Sequence, residues 1–191
     1  MMNRATLPTE KLSRLEAERS MRTLPDKLAS SFYRFEYSDD VSRLAECLVA
    51  YGPVYFRTSE SIDGVTSHGS RLPGFVNRLR KAPAIEIISS RNPTAVAAGF
   101  DQPWLDWTQD GQVFAMLRNH PSTIRQKQLV DLLFDENPVN CLANATIDSS
   151  FDPALVVPGT DGNGFWVLTH SARHAVYSHF QSSSFEQEIV S

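Results

Sequence analysis

The chain has 191 residues, of which 41% are hydrophobic and 21% charged, with a net charge of −4 and a pI near 5.7. That length suits one domain with a core large enough to fold without disulfide or metal staples. The acidic balance offers no positive field to collect phosphate backbones, which argues against direct nucleic-acid binding, and no apolar run approaches the roughly 18 residues of a membrane span.

Residues 1–30 are polar and rich in charge, with Leu12, Leu15 and Met21 spaced as on an amphipathic helix. They read as an N-terminal arm or helix ahead of a single domain over 31–191. A firmer helix is expected over 39–51, capped by Asp39 or Asp40, with Val41, Leu44, Ala45 and Leu48 on one face and Gly52-Pro53 as the stop. Val54-Tyr55-Phe56 reads as a strand rich in β-formers. Residues 72–81 look helical, and 84–88 alternate as a strand. Pro103 opens a further helix near Trp104 and Trp107. Strands are expected over 129–134, 139–147, 155–157 and 165–169, then a helix over 171–180 and a last strand over 185–190. The fold class is therefore α+β, with mixed or antiparallel sheets and flanking helices.

Several chemistries are excluded by what is missing. Cys47 and Cys141 are far apart and imply no disulfide framework, which fits a reducing, intracellular setting. Met1-Met2-Asn3-Arg4 has no apolar signal core and no Gly at position 2 for myristoylation, so the Asn144-Ala145-Thr146 sequon is without meaning. No Gly-x-Ser-x-Gly elbow occurs, and neither cysteine has an arginine six residues later to cradle a phosphoryl group. His170 and His174 are four apart, but Arg173 between them would repel a cation, so a solvated helix face is expected and no metal site. The glycine-rich run from Gly159 to Gly164 lies between two expected strands and reads as a hairpin, not a phosphate loop.

Arg57 stands out because it ends an otherwise apolar strand, and its planar fork matches pyrophosphate oxygens. Thr169 and Ser171 close a later strand, and Glu186-Gln187-Glu188 follows. On a strand, i and i+2 share a face, so both glutamates can point into one cleft. Arginine, hydroxyl strand and Glu-x-Glu is the order of arginine-type ADP-ribosyltransferases. In that chemistry the arginine holds the NAD diphosphate and a glutamate stabilises the oxocarbenium-like transition state. One reading is thus a bacterial ADP-ribosylating effector built on Arg57, Thr169, Ser171, Glu186 and Glu188.

Four ordered stretches point to a more specific resemblance. They are Val54 to Ile62 with Arg71-Leu72-Pro73; Thr94 to Ala98 with Pro103-Trp104-Leu105; Leu129-Val130 with Leu142-Ala143 and Ser149; and Gly159-Thr160-Asp161 with Gly164-Phe165. Together they resemble the RolB/RolC group, the "plast" proteins carried on Agrobacterium transferred DNA, and most of all its tumour-morphology branch. The resemblance implies an effector made in plant cells, in the cytoplasm or nucleus. It would alter growth, proliferation and hormone response by binding or ADP-ribosylating host plant proteins. It also implies a fold like the ADP-ribosyltransferase toxins, with NAD as the cofactor. The implied NAD positions fall on Arg57 on the first strand, near Ala98 or Gly99 before Pro-Trp-Leu, and on Asn163 before Gly-Phe; Tyr55, two residues before Arg57, is a further cofactor-binding candidate. The resemblance reads Thr94–Ala98 as a small-residue strand. Gly99 and Asn163 lack the family's hydroxyls there, which supports an alternative in which the site is inactive and the protein is an interaction module.

Overall fold

In the computed structural model, residues 27–35, 41–71, 85–100, 112–134, 138–159, 164–183 and 185–188 are described. Along the chain run β1 (Ala29–Arg34), α1 (Val41–Tyr51), β2 (Val54–Thr58), β3 (Thr66–Arg71), β4 (Ile85–Ser90), α2 (Pro93–Ala97), β5 (Phe114–Met116), α3 (Thr123–Phe134), α4 (Pro138–Asn144), β6 (Ala154–Pro158), β7 (Gly164–Thr169), α5 (Ala175–Ser182) and β8 (Gln187–Glu188). The strands form one sheet in the order β3-β4-β2-β5-β6-β7-β1-β8, and every neighbouring pair is antiparallel. The α+β class expected from the sequence holds.

Period-two alternation sends the apolar residues of β1, β2, β4, β5, β6 and β7 to both faces of this sheet. Val54, Phe56, Phe114, Met116, Val156, Phe165 and Val167 pack beneath α1, α2 and α5. Tyr55, Ala115, Leu155, Val157, Trp166 and Leu168 pack beneath α3 and α4. The central strands β6 and β7 are buried along their whole length because both faces are covered. Cys47 belongs to the first core and Cys141 borders the second, so the sheet separates them and both are free thiols.

Several expected elements change type. Residues 129–134 and 139–147, expected as strands, lie in or beside α3 and α4. Thr94–Ala98, a strand by resemblance, is α2 with a turn after it. The Asn92 side chain accepts from the Thr94 N–H, and Pro93 opens the helix. The helix expected from Ser171 begins at Ala175, because His174 caps it. Of the expected last strand over 185–190, residues 185–188 are described and Gln187–Glu188 form β8, and β1 begins inside the expected N-terminal arm. The expected helices at 72–81 and after Pro103 lie outside the described residues.

The hairpin reading of the glycine-rich run holds. β6 and β7 pair antiparallel as far as Pro158 opposite Phe165, and the Gly159 N–H donates to Gly164 O at 2.8 Å. Gly164 has φ +153°, and a Cβ there would run into the Tyr33 carbonyl oxygen and the Phe32 ring, so the hairpin's return requires glycine.

Candidate functional site

Arg57 sits on β2, half-buried, on the same face as Tyr55. Its Nε donates to Gln112 Oε1 at 3.2 Å. Gln112 is fully buried, and its Nε2 donates to Arg57 O at 2.6 Å and to Gly99 O at 3.3 Å. Gln112 thus ties two of the expected NAD residues, Arg57 and Gly99, into one network. Gly99 has a packing role of its own, since a Cβ there would overlap the Phe56 ring. Asn163 lies outside the described residues.

The other expected residues fall elsewhere. Thr169 is buried at the end of β7; its hydroxyl donates to Ser171 O at 2.9 Å and is 3.0 Å from the Tyr177 hydroxyl. Tyr177 donates onward to Ala29 O at 2.9 Å, so this hydroxyl pair locks α5 to β1 and β7. Glu186 is exposed, and its carbonyl accepts from the Arg34 N–H at the sheet edge. Glu188 is in β8, opposite Phe32 of β1. From β2 to β8 is five neighbours in the sheet, about 24 Å at the usual spacing of about 4.8 Å. The sheet therefore does not bring Arg57 together with Glu186 and Glu188.

His170 and His174 do not share a solvated helix face as expected. His170 follows β7 and hydrogen-bonds the Leu142 carbonyl of α4. His174 is buried as the N-cap of α5. Among the described residues no group of three or more His, Cys, Asp or Glu side chains is placed to hold a metal ion.

Two polar constellations were not legible beforehand. The first lies where β3, β4 and β2 meet. The register of β3 against β4 shifts between Ser67 and Gly69, and this bulge aims His68 at Ser89, with Nε2 2.8 Å from the Ser89 hydroxyl. Tyr55 pairs with Ser89 across the strands, and its hydroxyl is 2.8 Å from His120 Nδ1. Burial pushes the Tyr55 hydroxyl up to about 12, opposed by the Ser89 hydrogen bond and the charge of Arg91. A serine beside an imidazole can suggest a nucleophile and base, but Ser89 and Tyr55 are both enclosed, so the network supports the sheet.

Burial, and then the neighbouring His120, lower the His68 pKa. A histidine depressed in the folded state resists the proton that the unfolded chain accepts. Its contribution to stability is therefore complete above about pH 6.5 and is lost as pH falls from there through the folded value. Denaturant unfolding at pH 7.5 and pH 5.5 should show a loss on acidification that is smaller in His68→Gln. An equal or larger loss in the variant would contradict this role.

The second constellation is a cleft of about 360 Å³ beside the entry to α5, lined by Tyr51, Arg118, Asn119, Asp152, Ser171 and Arg173 among others. His174 holds its floor. Its Nδ1 accepts from the Val176 N–H, so the proton sits on Nε2, which points at Asp152, 3.3 Å from its carbonyl and 3.4 Å from Oδ2. With both nitrogens engaged, His174 orients Asp152 and is not a free base.

Compared with protein-family models, curated proteins and solved structures, the chain gives no match. No helix among the described residues is long and apolar enough to cross a membrane.

Proposed function

We propose that the chain is a plast-type effector of plant cells that changes growth and hormone response by binding host proteins, not by ADP-ribosylating them. The ordered motif set from Val54 to Leu168 supports the effector reading, and the antiparallel sheet with flanking helices is consistent with a toxin-like scaffold put to this use. The observation that carries the binding reading is the strand order. Arginine-type transfer needs the group that grips the diphosphate and the glutamate at the ribose to meet around one NAD molecule. Arg57 and the C-terminal glutamates lie five strand neighbours apart. Arg57 also has structural employment, through Gln112.

The test is to incubate the tagged protein with labelled NAD in plant cytosolic and nuclear extracts. Specific capture of host proteins is expected without label transfer, and Arg57→Ala should leave both capture and the growth phenotype of transformed plants intact. Label transfer that disappears in Arg57→Ala would overturn the proposal. So would loss of the phenotype in that variant while capture is unchanged.

A further inference from the structure

In the cleft beside α5, several polar groups keep hydrogen-bonding capacity that the described residues do not use. Asp152 Oδ1 is buried without a hydrogen-bond partner, while Oδ2 faces His174. Oδ1 has no surface open to the cleft, whereas the Asp152 side chain as a whole is 42% exposed, so a ligand donor can meet only the exposed edge of this carboxylate. Arg118 and Arg173 line the same cleft with exposed side chains. The Arg118 guanidinium lies over the Tyr51 ring, 6.0 Å from its centre, which holds it in place without neutralising it. The Arg173 side chain has no partner of any kind among the described residues; its only hydrogen bond is from its backbone N–H to the Ser171 hydroxyl. Ala175, the first residue of α5, also lines the cleft and adds the positive end of a helix dipole.

The cleft thus offers two kinds of recognition. Two guanidiniums suit a phosphate dianion, whose oxygens match their fixed donor forks. The partly exposed Asp152 carboxylate, with Ser149 and Asn119 alongside, suits the hydroxyls of the rest of the ligand. A volume of about 360 Å³ is at the small end of ligand sites, which run to about 1,000 Å³, and favours a compact molecule over a dinucleotide. We propose that this cleft binds a phosphorylated polyol of the sugar-phosphate class, with the phosphate on Arg118 and Arg173 and a ligand hydroxyl donating to the exposed edge of the Asp152 carboxylate. This does not depend on the effector reading above.

Isothermal titration of the full chain with glucose 6-phosphate, inorganic phosphate and glucose tests it. Saturable binding of glucose 6-phosphate is expected, with inorganic phosphate at least about tenfold weaker and glucose silent. Arg173→Ala, which removes no side-chain hydrogen bond or ion pair among the described residues, should weaken glucose 6-phosphate at least about tenfold. Asp152→Ala should bring glucose 6-phosphate down to the affinity of inorganic phosphate, and retained phosphate binding by that variant shows that the cleft is still formed. Absence of saturable binding at millimolar sugar phosphate would overturn the proposal, as would equal affinity for the sugar phosphate and inorganic phosphate. Binding unaffected by Arg173→Ala would do the same.

Discussion

Phe165→Ala is expected to cost about 3–5 kcal/mol, a large share of the roughly 5–15 kcal/mol that holds an ordinary domain folded. Phe165 is fully buried on β7 beneath α5. Its ring stacks on Tyr33 at 5.5 Å and meets Phe180 at 5.4 Å, Phe185 at 5.6 Å and Phe35 at 6.2 Å. These partners come from β1, α5 and the segments after β1 and before β8, so one ring joins the end of the chain to its beginning. Truncation removes the apolar transfer term, leaves a cavity the rigid sheet cannot close, and breaks several edge and stacked contacts at once. Urea unfolding should show a lower midpoint with an unchanged slope. A loss below about 1 kcal/mol would mean that this aromatic cluster is not the centre of the first core.

Gly52→Val is expected to be similarly damaging, at about 3 kcal/mol or more. Gly52 lies between α1 and β2, and a Cβ there would overlap the Leu117 carbonyl and come within 3.1 Å of Arg118 Cα. The obstacle is backbone, so no side-chain rotation relieves it. The chains touch here because the Leu117 N–H donates to Pro53 O at 3.2 Å, continuing the pairing of Val54 with Met116. Forcing them apart pries β5 from β2 at the sheet's middle and moves Arg118 out of the cleft. The variant should therefore unfold at lower denaturant and lose sugar-phosphate binding together. A variant as stable as the parent would show that the α1–β2 turn is not so confined.

How far the sequence foretold this depends on how local each signal was. α1 was legible because Leu44, Ala45 and Leu48 recur at helical spacing and Gly52-Pro53 ends them. β2, β4, β6 and β7 were legible from their runs of branched and aromatic residues. α3 was misread because its first half, Thr123 to Gln128, is polar, and only the dense apolar end from Leu129 to Phe134 was visible; Leu129, Leu132 and Leu133 are the helical i, i+3, i+4 set. The Asn92-Pro93 pair and Pro138 are short-range helix starts, of α2 and α4, that carry little apolar periodicity after them. β3 carries no apolar run at all; it is an edge strand held by pairing with β4.

The candidate site was less legible than the fold for the same reason. Arg57 is legible because a charge ends an apolar strand, but its partner Gln112 is 55 residues away and carries no pattern. Asp152 and His174 meet only because β6 and α5 start side by side. The order of strands in a sheet is a long-range property, and it is this order that separates Arg57 from Glu186 and Glu188.

That separation can be measured directly. Nitroxide labels on Arg57→Cys and Gln187→Cys, in a background carrying Cys47→Ser and Cys141→Ser, report the span between β2 and β8 by dipolar electron spin resonance. A mean distance on the order of 20–25 Å is expected from five strand spacings. A mean below about 15 Å would put position 57 beside the C-terminal glutamates and restore a transferase site.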